Sequence, residues 1–272
     1  MKPRLFSTLR RLQHENPLGL PRSGAPPQLP RMQRGLPQKR SIKDVKKVIA
    51  VSSAKGGVGK STIAGMRTTS KASITTLTHC NNQLIPLSNY GLKSMSMGYL
   101  VPESSPVAWR GLMVMKALQQ LLHEVEWGGL DVLVLDLPPG TGDVQLTITQ
   151  QLILDGAIIV STPQDLALKD AVKGVELFRK VNTNILGLVC NMSGFQCPGC
   201  GETHNVFGDM NRLRDMCRTY DMRLLGELPL HAAMGAGAEG GKPTVVAEPD
   251  SSRAHIFAAM ANEVARIIDL GK

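Results

Sequence analysis

The sequence predicts an α/β fold: a parallel sheet with helices on both faces, built around a phosphate-binding loop. Three observations carry this. Short apolar runs alternate with helical segments, which gives a sheet covered on both sides. A glycine-rich stretch, Ala54-Lys-Gly-Gly-Val-Gly-Lys-Ser-Thr62, follows the first apolar run, Val48–Ser52. A second core run, Val132–Leu135, ends in an acid, Asp136.

The glycine-rich stretch opens the argument about chemistry. Gly56, Gly57 and Gly59 let the backbone turn tightly and aim N–H groups at phosphate oxygens. Lys60 reaches the β- and γ-phosphates of ATP, and the Ser61 hydroxyl ligates Mg²⁺. A helix starting near Gly59 adds its positive end. The usual pattern begins with Gly, whereas Ala54 stands here, and Lys55 precedes the glycines. That is the deviant Walker A, in which the extra lysine reaches a nucleotide in a facing subunit. The whole run from Ala54 through Lys55, Val58 and Thr62 is the candidate nucleotide cradle.

The remaining elements follow in order. Residues 1–40 hold nine Lys/Arg against one acid, Glu15, and so carry all but one unit of the net charge of +9. Leu5, Phe6, Leu9 and Leu12 recur at near-helical spacing. This segment reads as a mitochondrial transit peptide, with a disordered basic tail as the alternative. The folded domain is expected over 41–272. Its near-neutral charge does not require a nucleic-acid-binding face, and no nucleic-acid partner is expected. No apolar run reaches the roughly 18–20 residues of a membrane span, and five cysteines in 272 residues do not make a disulfide scaffold.

After the loop, a helix through Ile63 and Ala64 gives way to a Thr/Ser-rich stretch, Thr68–Thr78, with no apolar stripe. From Thr62 to Pro102 there is no Asp or Glu. Gly91–Met97 alternates like a strand. A helix is predicted over Leu112–Val125, and strands over Val132–Leu135, Gly156–Val160, Ile185–Val189 and Leu224–Leu230. A helix over Gln164–Lys180 follows Pro163, and a last helix, Ser251–Asp269, begins at a serine cap.

Asp136 stands at the carboxyl end of its strand, beside the phosphate loop, where it can hold the Mg²⁺ shell through water. Gly140 and Gly142 suit a loop that senses the γ-phosphate, with Asp143 at its end. Asn191, at the same edge of the sheet, can hydrogen-bond a purine or be an ordinary loop asparagine. Cys197-Pro-Gly-Cys200 offers two thiolates to one metal centre, while zinc or an iron–sulfur cluster takes four ligands. A second subunit can supply the other two in a dimer-bridging cluster. His204 and one more residue can complete a zinc knuckle, and a redox dithiol is a third option.

Taken together, Ser53–Thr62, Met95–Gly98, Trp109–Met113, Asp136–Gln145, Ser161–Asp165, Asn191-Met192 and the Cys197/Cys200 pair resemble the Mrp-type ATPases, over residues 46–61 and about 88–270. With the transit-like N-terminus, the chain is similar to the mitochondrial branch of that family. The resemblance implies a P-loop ATPase homodimer with one [4Fe-4S] cluster between two Cys-x-x-Cys pairs, the pair lying in an insertion near 192–210. It further implies Lys55, Lys60 and Asp136 as catalytic groups, residence in the mitochondrial matrix and delivery of clusters to subunits of respiratory complex I. The sequence departs from the family in one place. The Asp-x-Asp switch expected after the second strand has no match in residues 62–87, and the span is shorter by about a strand and a helix. Weak or absent hydrolysis is the expectation, in a chain that still binds nucleotide or partners. A partitioning-type ATPase is the other alternative, but Asn262–Asp269 carries two acids and one Arg, unlike a basic membrane-binding helix.

Overall fold

A computed structural model of the chain describes residues 39–65, 79–80, 83–100, 111–140 and 142–270. The transit-like segment, Trp109 and Arg110 of the family motif, and the Thr/Ser-rich stretch lie outside these residues, apart from Lys39 and Arg40.

In chain order, β1 (Val45–Ser52) runs into the phosphate loop and α1 (Lys60–Ile63). Two small antiparallel pairs follow: β2 (His79–Cys80) with β3 (Gln83–Leu84), and β4 (Leu87–Asn89) with β5 (Leu92–Ser94). Then come α2 (Gly111–His123), β6 (Leu130–Asp136), α3 (Asp143–Gln151), β7 (Gly156–Ser161) and α4 (Asp165–Lys180). The chain continues through β8 (Ile185–Gln196), β9 (Thr203–His204), α5 (Met210–Thr219) and β10 (Leu224–Leu230). It closes with α6 (Ala232–Glu239), α7 (Thr244–Ala247) and α8 (Ser252–Ile267).

The main sheet has the order β10-β8-β7-β1-β6, and these five strands are mutually parallel. The predicted doubly covered sheet is therefore the fold. Side-chain alternation sorts the core into two layers. Val48, Ala50, Ala157, Ile159 and Leu188 face one cluster with α4 and α5 residues such as Phe178 and Leu213. Their neighbours Ile49, Val51, Ile158, Val160 and Val189 face the other, closed by Met260 and Val264 of α8. A side-chain period of two on a strand requires this split. Phe178 is fully buried, and its loss would cost about 3–5 kcal/mol.

Local chemistry sets the element ends. In α8 the Ser251 hydroxyl accepts from the Ala254 N–H at 3.2 Å, the cap expected from sequence. α4 begins beyond Gln164 and carries Asp165 in its first turn and Arg179 and Lys180 in its last, matching the helix dipole. Three differences from expectation have physical reasons. β8 runs on to Gln196 because Phe195 still lies opposite Leu230 of β10 while Phe195 and Gln196 pair with β9 on the other side. The Gly91–Met97 run is a strand only over Leu92–Ser94, since Tyr90 and Gly91 turn it back on β4 at positive φ. α3 was not anticipated, because its Thr- and Gln-rich sequence shows little apolar periodicity.

Candidate functional site

The parallel register brings the loop and the acid together. Val51 in β1 lies opposite Asp136 in β6, so both strands end at the same edge. Gly57 and Gly59 take φ of 79° and 81°, values that a side chain disfavours. Nothing stands within 4 Å of where a Gly57 Cβ would project, which leaves open space over the loop. That open space over Gly57, with Lys60 three residues on, suits a phosphate chain.

Lys60 Nζ forms an ion pair with Asp136 Oδ1, and both side chains are largely shielded. The Gly140 N–H donates to the Ser53 carbonyl at 3.1 Å, and Leu137 N–H to the Val51 carbonyl at 3.0 Å. These bonds tie the loop after β6 to the start of the phosphate loop. Ser61 is half-buried beside them. Ser61 and Asp136 offer the hard oxygen donors that would hold a magnesium ion at a phosphate site. The helix beyond the loop is one turn long, since α1 covers only Lys60–Ile63 among the described residues. Its dipole is correspondingly small, and less of the anion attraction comes from it than a long helix would give.

Lys55 points within its own chain. Its ammonium donates to Gln164 Oε1 at 3.2 Å, at the start of α4. Asn191 also turns towards the loop: its amide donates to the Val58 carbonyl at 2.9 Å and is buried. The next residue, Met192, sits at a φ of 56°, so β8 bends where it meets the loop. A cavity of ≈ 500 Å³ opens here, lined by Gly59, Asn191, Met192, Phe195, Leu230 and His231 among others.

The Cys-x-x-Cys pair caps the β8–β9 hairpin, away from the phosphate loop in the sequence. Cys197 is half-buried and Cys200 exposed. The Cys197 N–H donates to the Glu202 carbonyl at 2.9 Å, and the Gly201 N–H to the Cys197 carbonyl at 2.8 Å. Backbone N–H groups of Cys200 and Gly199, with the Cys200 thiol, hold the Cys197 thiol below the ordinary thiol range. One chain thus presents two accessible sulfurs, half of a four-thiolate set. Burial does the opposite to the remaining described thiols, raising Cys190 to about 12 and also raising Cys217.

The family model described as "ParA: NUBPL iron-transfer P-loop NTPase" matches residues 65–265. The chain belongs to this family.

Other NUBPL-type proteins are similar over most of their length. The iron-sulfur cluster transfer protein NUBPL of Mus musculus is 46% identical over 261 positions, covering 86% of this chain and 82% of that protein. The iron-sulfur protein required for NADH dehydrogenase, mitochondrial, of Arabidopsis thaliana is 42% identical, covering 82% and 79%. The 261 aligned positions exceed 86% of a 272-residue chain, so the mouse NUBPL carries residues with no counterpart here. Among solved structures, the nucleotide-binding protein of Archaeoglobus fulgidus, in complex with ADP, is 28% identical with a TM-score of 0.61, covering 79% of this chain and 93% of that one. The cell division ATPase MinD of Pyrococcus furiosus, at 20% identity and a TM-score of 0.51, shares the fold, with 81% and 99% covered.

Sequence reasoning missed Gln164 as the partner of Lys55 and Glu202 beside the thiols. The second had a signal. Cys200, Glu202 and His204 recur at every second residue around the hairpin turn, a cluster of metal-ligating residue types within five positions.

Proposed function

We propose that this chain is an ATP-binding iron–sulfur cluster carrier that delivers [4Fe-4S] clusters for the assembly of mitochondrial complex I. One observation carries the reading. A lysine–aspartate pair at a phosphate-binding loop, Lys60 with Asp136, occurs in the same chain as an exposed hairpin that presents two thiols. The names of the mouse and Arabidopsis relatives support both the cargo and the destination, and the ADP complex of the archaeal relative supports the nucleotide.

In this reading ATP lies with its phosphates along Gly56–Thr62 and its base in the cavity beside Asn191. The Asn191 amide oxygen and its second N–H are left to face the purine, since one N–H holds Val58. Ser61 and, through water, Asp136 would hold Mg²⁺, which would neutralise charge on the β- and γ-phosphates. Lys60 exchanges the Asp136 carboxylate for phosphate oxygens when nucleotide enters. Lys55 leaves Gln164 to reach the nucleotide of a second copy, so that ATP sets the meeting of two chains. Cys197 and Cys200 from each copy then hold one cluster, which is cargo and departs to the recipient. Residues 1–40 direct the chain to the matrix and precede a P-loop ATPase domain over 41–272.

The test is anaerobic loading with iron and sulfide. Wild type turns brown with one cluster per two chains, and Cys197→Ala loses the Fe–S charge-transfer absorbance. A Cys197→Ala protein that keeps a full cluster, or a wild type that stays colourless and monomeric, overturns the reading.

A second reading concerns turnover. Between Thr62 and Pro102 there is no carboxylate to position water, and phosphoryl transfer depends almost wholly on placement and electrostatics. On that ground the chain binds ATP but hydrolyses it slowly or not at all. An ATPase rate that Lys60→Ala does not change would support this. A partitioning role at a membrane is disfavoured by α8, which turns Ala254, Met260 and Val264 into the core. No described helix is long and apolar enough to cross a membrane.

A further inference from the structure

The hairpin that carries the two cysteines gathers more than sulfur. The ligating atoms of Cys200, Glu202 and His204 all lie within 4.8 Å of one another, and all three side chains are exposed. Phe195 pairs with His204 and Gln196 with Thr203 across β8 and β9, and Gln196 Nε2 donates to the Gly201 carbonyl at 3.2 Å. The turn is thus held by its own backbone, with Cys197 fixed to Glu202 by the bond already described.

We infer that this hairpin is a mononuclear binding site for a divalent transition metal such as Zn²⁺, formed by Cys200, Glu202 and His204 with Cys197 as fourth ligand, all from one chain. The donor set is mixed sulfur, nitrogen and oxygen, which suits zinc; an iron–sulfur cluster prefers thiolates throughout. Bonds of about 2.0–2.3 Å draw tetrahedral ligands to within about 4 Å of each other. The three groups need to close by only about an ångström, a change that rotation of exposed side chains supplies. Each ligating thiol releases its proton to solvent on binding, so no oxidant or reductant is involved.

The site shares Cys197 and Cys200 with the cluster reading but needs no second subunit. The consequence is competition. An ion held within one chain occupies both sulfurs that a cluster between two chains requires, so zinc blocks cluster loading.

The experiment uses the full chain, reduced and metal-free, titrated with Co²⁺ and then with Zn²⁺. Expected are one Co²⁺ per chain, the visible d–d and thiolate charge-transfer bands of a tetrahedral site, a monomeric native mass and displacement by Zn²⁺. Glu202→Gln and His204→Ala should each weaken Co²⁺ binding by at least about tenfold, the size of effect that loss of even an outer partner brings. Both positions are exposed, so circular dichroism and thermal unfolding should match wild type. Zn²⁺ added before iron and sulfide should suppress cluster formation in wild type and much less in the double variant. Unchanged Co²⁺ affinity in both variants, or one Co²⁺ per two chains, overturns the inference. Wild type that forms the cluster but takes no Co²⁺ refutes this site alone. Wild type that takes Co²⁺ but never a cluster refutes the carrier reading alone.

Discussion

The side-chain amide of Asn191 donates to the carbonyl of Val58 at 2.9 Å, joining β8 to the phosphate loop across 133 residues of sequence. The same amide stands where a side chain on Gly59 would have to go. A Cβ there would lie 2.1 Å from Asn191 Nδ2, on a residue whose φ is 81°. Gly59→Ala is therefore expected to strain the loop and expel the amide together. ATP affinity should fall by more than tenfold while the fold persists, read by titration with a fluorescent ATP analogue. Asn191→Ala leaves the Val58 carbonyl without its buried partner, which costs about 1–3 kcal/mol, visible as a lowered urea midpoint.

The Lys60–Asp136 pair is 10% and 19% exposed, so each group depends on the other when no nucleotide is bound. Removing one charge leaves the second poorly solvated. Lys60→Met and Asp136→Asn should each destabilise the nucleotide-free protein, and the double variant should be more stable than the sum of the two losses predicts. A double-mutant cycle by denaturant unfolding measures the coupling. Lys60→Met should also abolish ATP binding.

The fold was legible in the sequence because its central strands are largely buried, so Gly156–Val160 and Ile185–Val189 read as continuous apolar runs. The phosphate loop was legible because its glycines and lysine have no other common use together. α5 was harder to see: its buried face is only Met210, Leu213, Met216 and Cys217 among polar residues. Gln164 could not be read as the partner of Lys55, because a contact across 109 residues leaves no local pattern. The extension of β8 was hidden because Met192 breaks the strand with a left-handed backbone, beyond which Phe195 pairs with both β10 and β9.

The thiols divide by environment, and their reactivity should divide likewise. Thiolate is the nucleophile. Cys197 is held below the ordinary range by the Cys200 and Gly199 N–H groups, whereas burial pushes Cys190 to about 12. Brief treatment of the native chain with iodoacetamide near neutral pH should label Cys197 and Cys200 while sparing Cys190 and Cys217. Peptide mass spectrometry reads the order. Denaturation should bring Cys190 and Cys217 into reach.

Acid stability offers a separate check on how α8 is attached. Glu263 receives Arg266 from its own helix and Arg223 from the residue before β10. Arg266 and then Arg223 hold its carboxyl down to about 2. A carboxyl lowered in the folded state stabilises it above the unfolded carboxyl's range, and that contribution is lost as pH falls through about 2. Glu263→Gln should melt lower than wild type at neutral pH, and the gap should close as acid is added. A gap that is constant from pH 7 to 2 would show that the charge plays no part.

Lys55 is the group whose present contact and proposed task differ most. It donates to Gln164 at 3.2 Å within one chain, whereas the proposed function assigns it to a nucleotide in a facing subunit. The bond to a neutral amide is weak, about 0.5–1.5 kcal/mol net, so a phosphate oxygen competes easily for the ammonium. Lys55→Ala should leave ATP affinity of the monomer within about threefold, since Lys60 and the loop N–H groups remain. It should remove the ATP-dependent rise in dimer measured by sedimentation velocity. Gln164→Ala frees the ammonium without removing it and should favour the dimer at lower ATP. If Lys55→Ala dimerises with ATP as wild type does, the lysine serves its own chain and the intersubunit role fails.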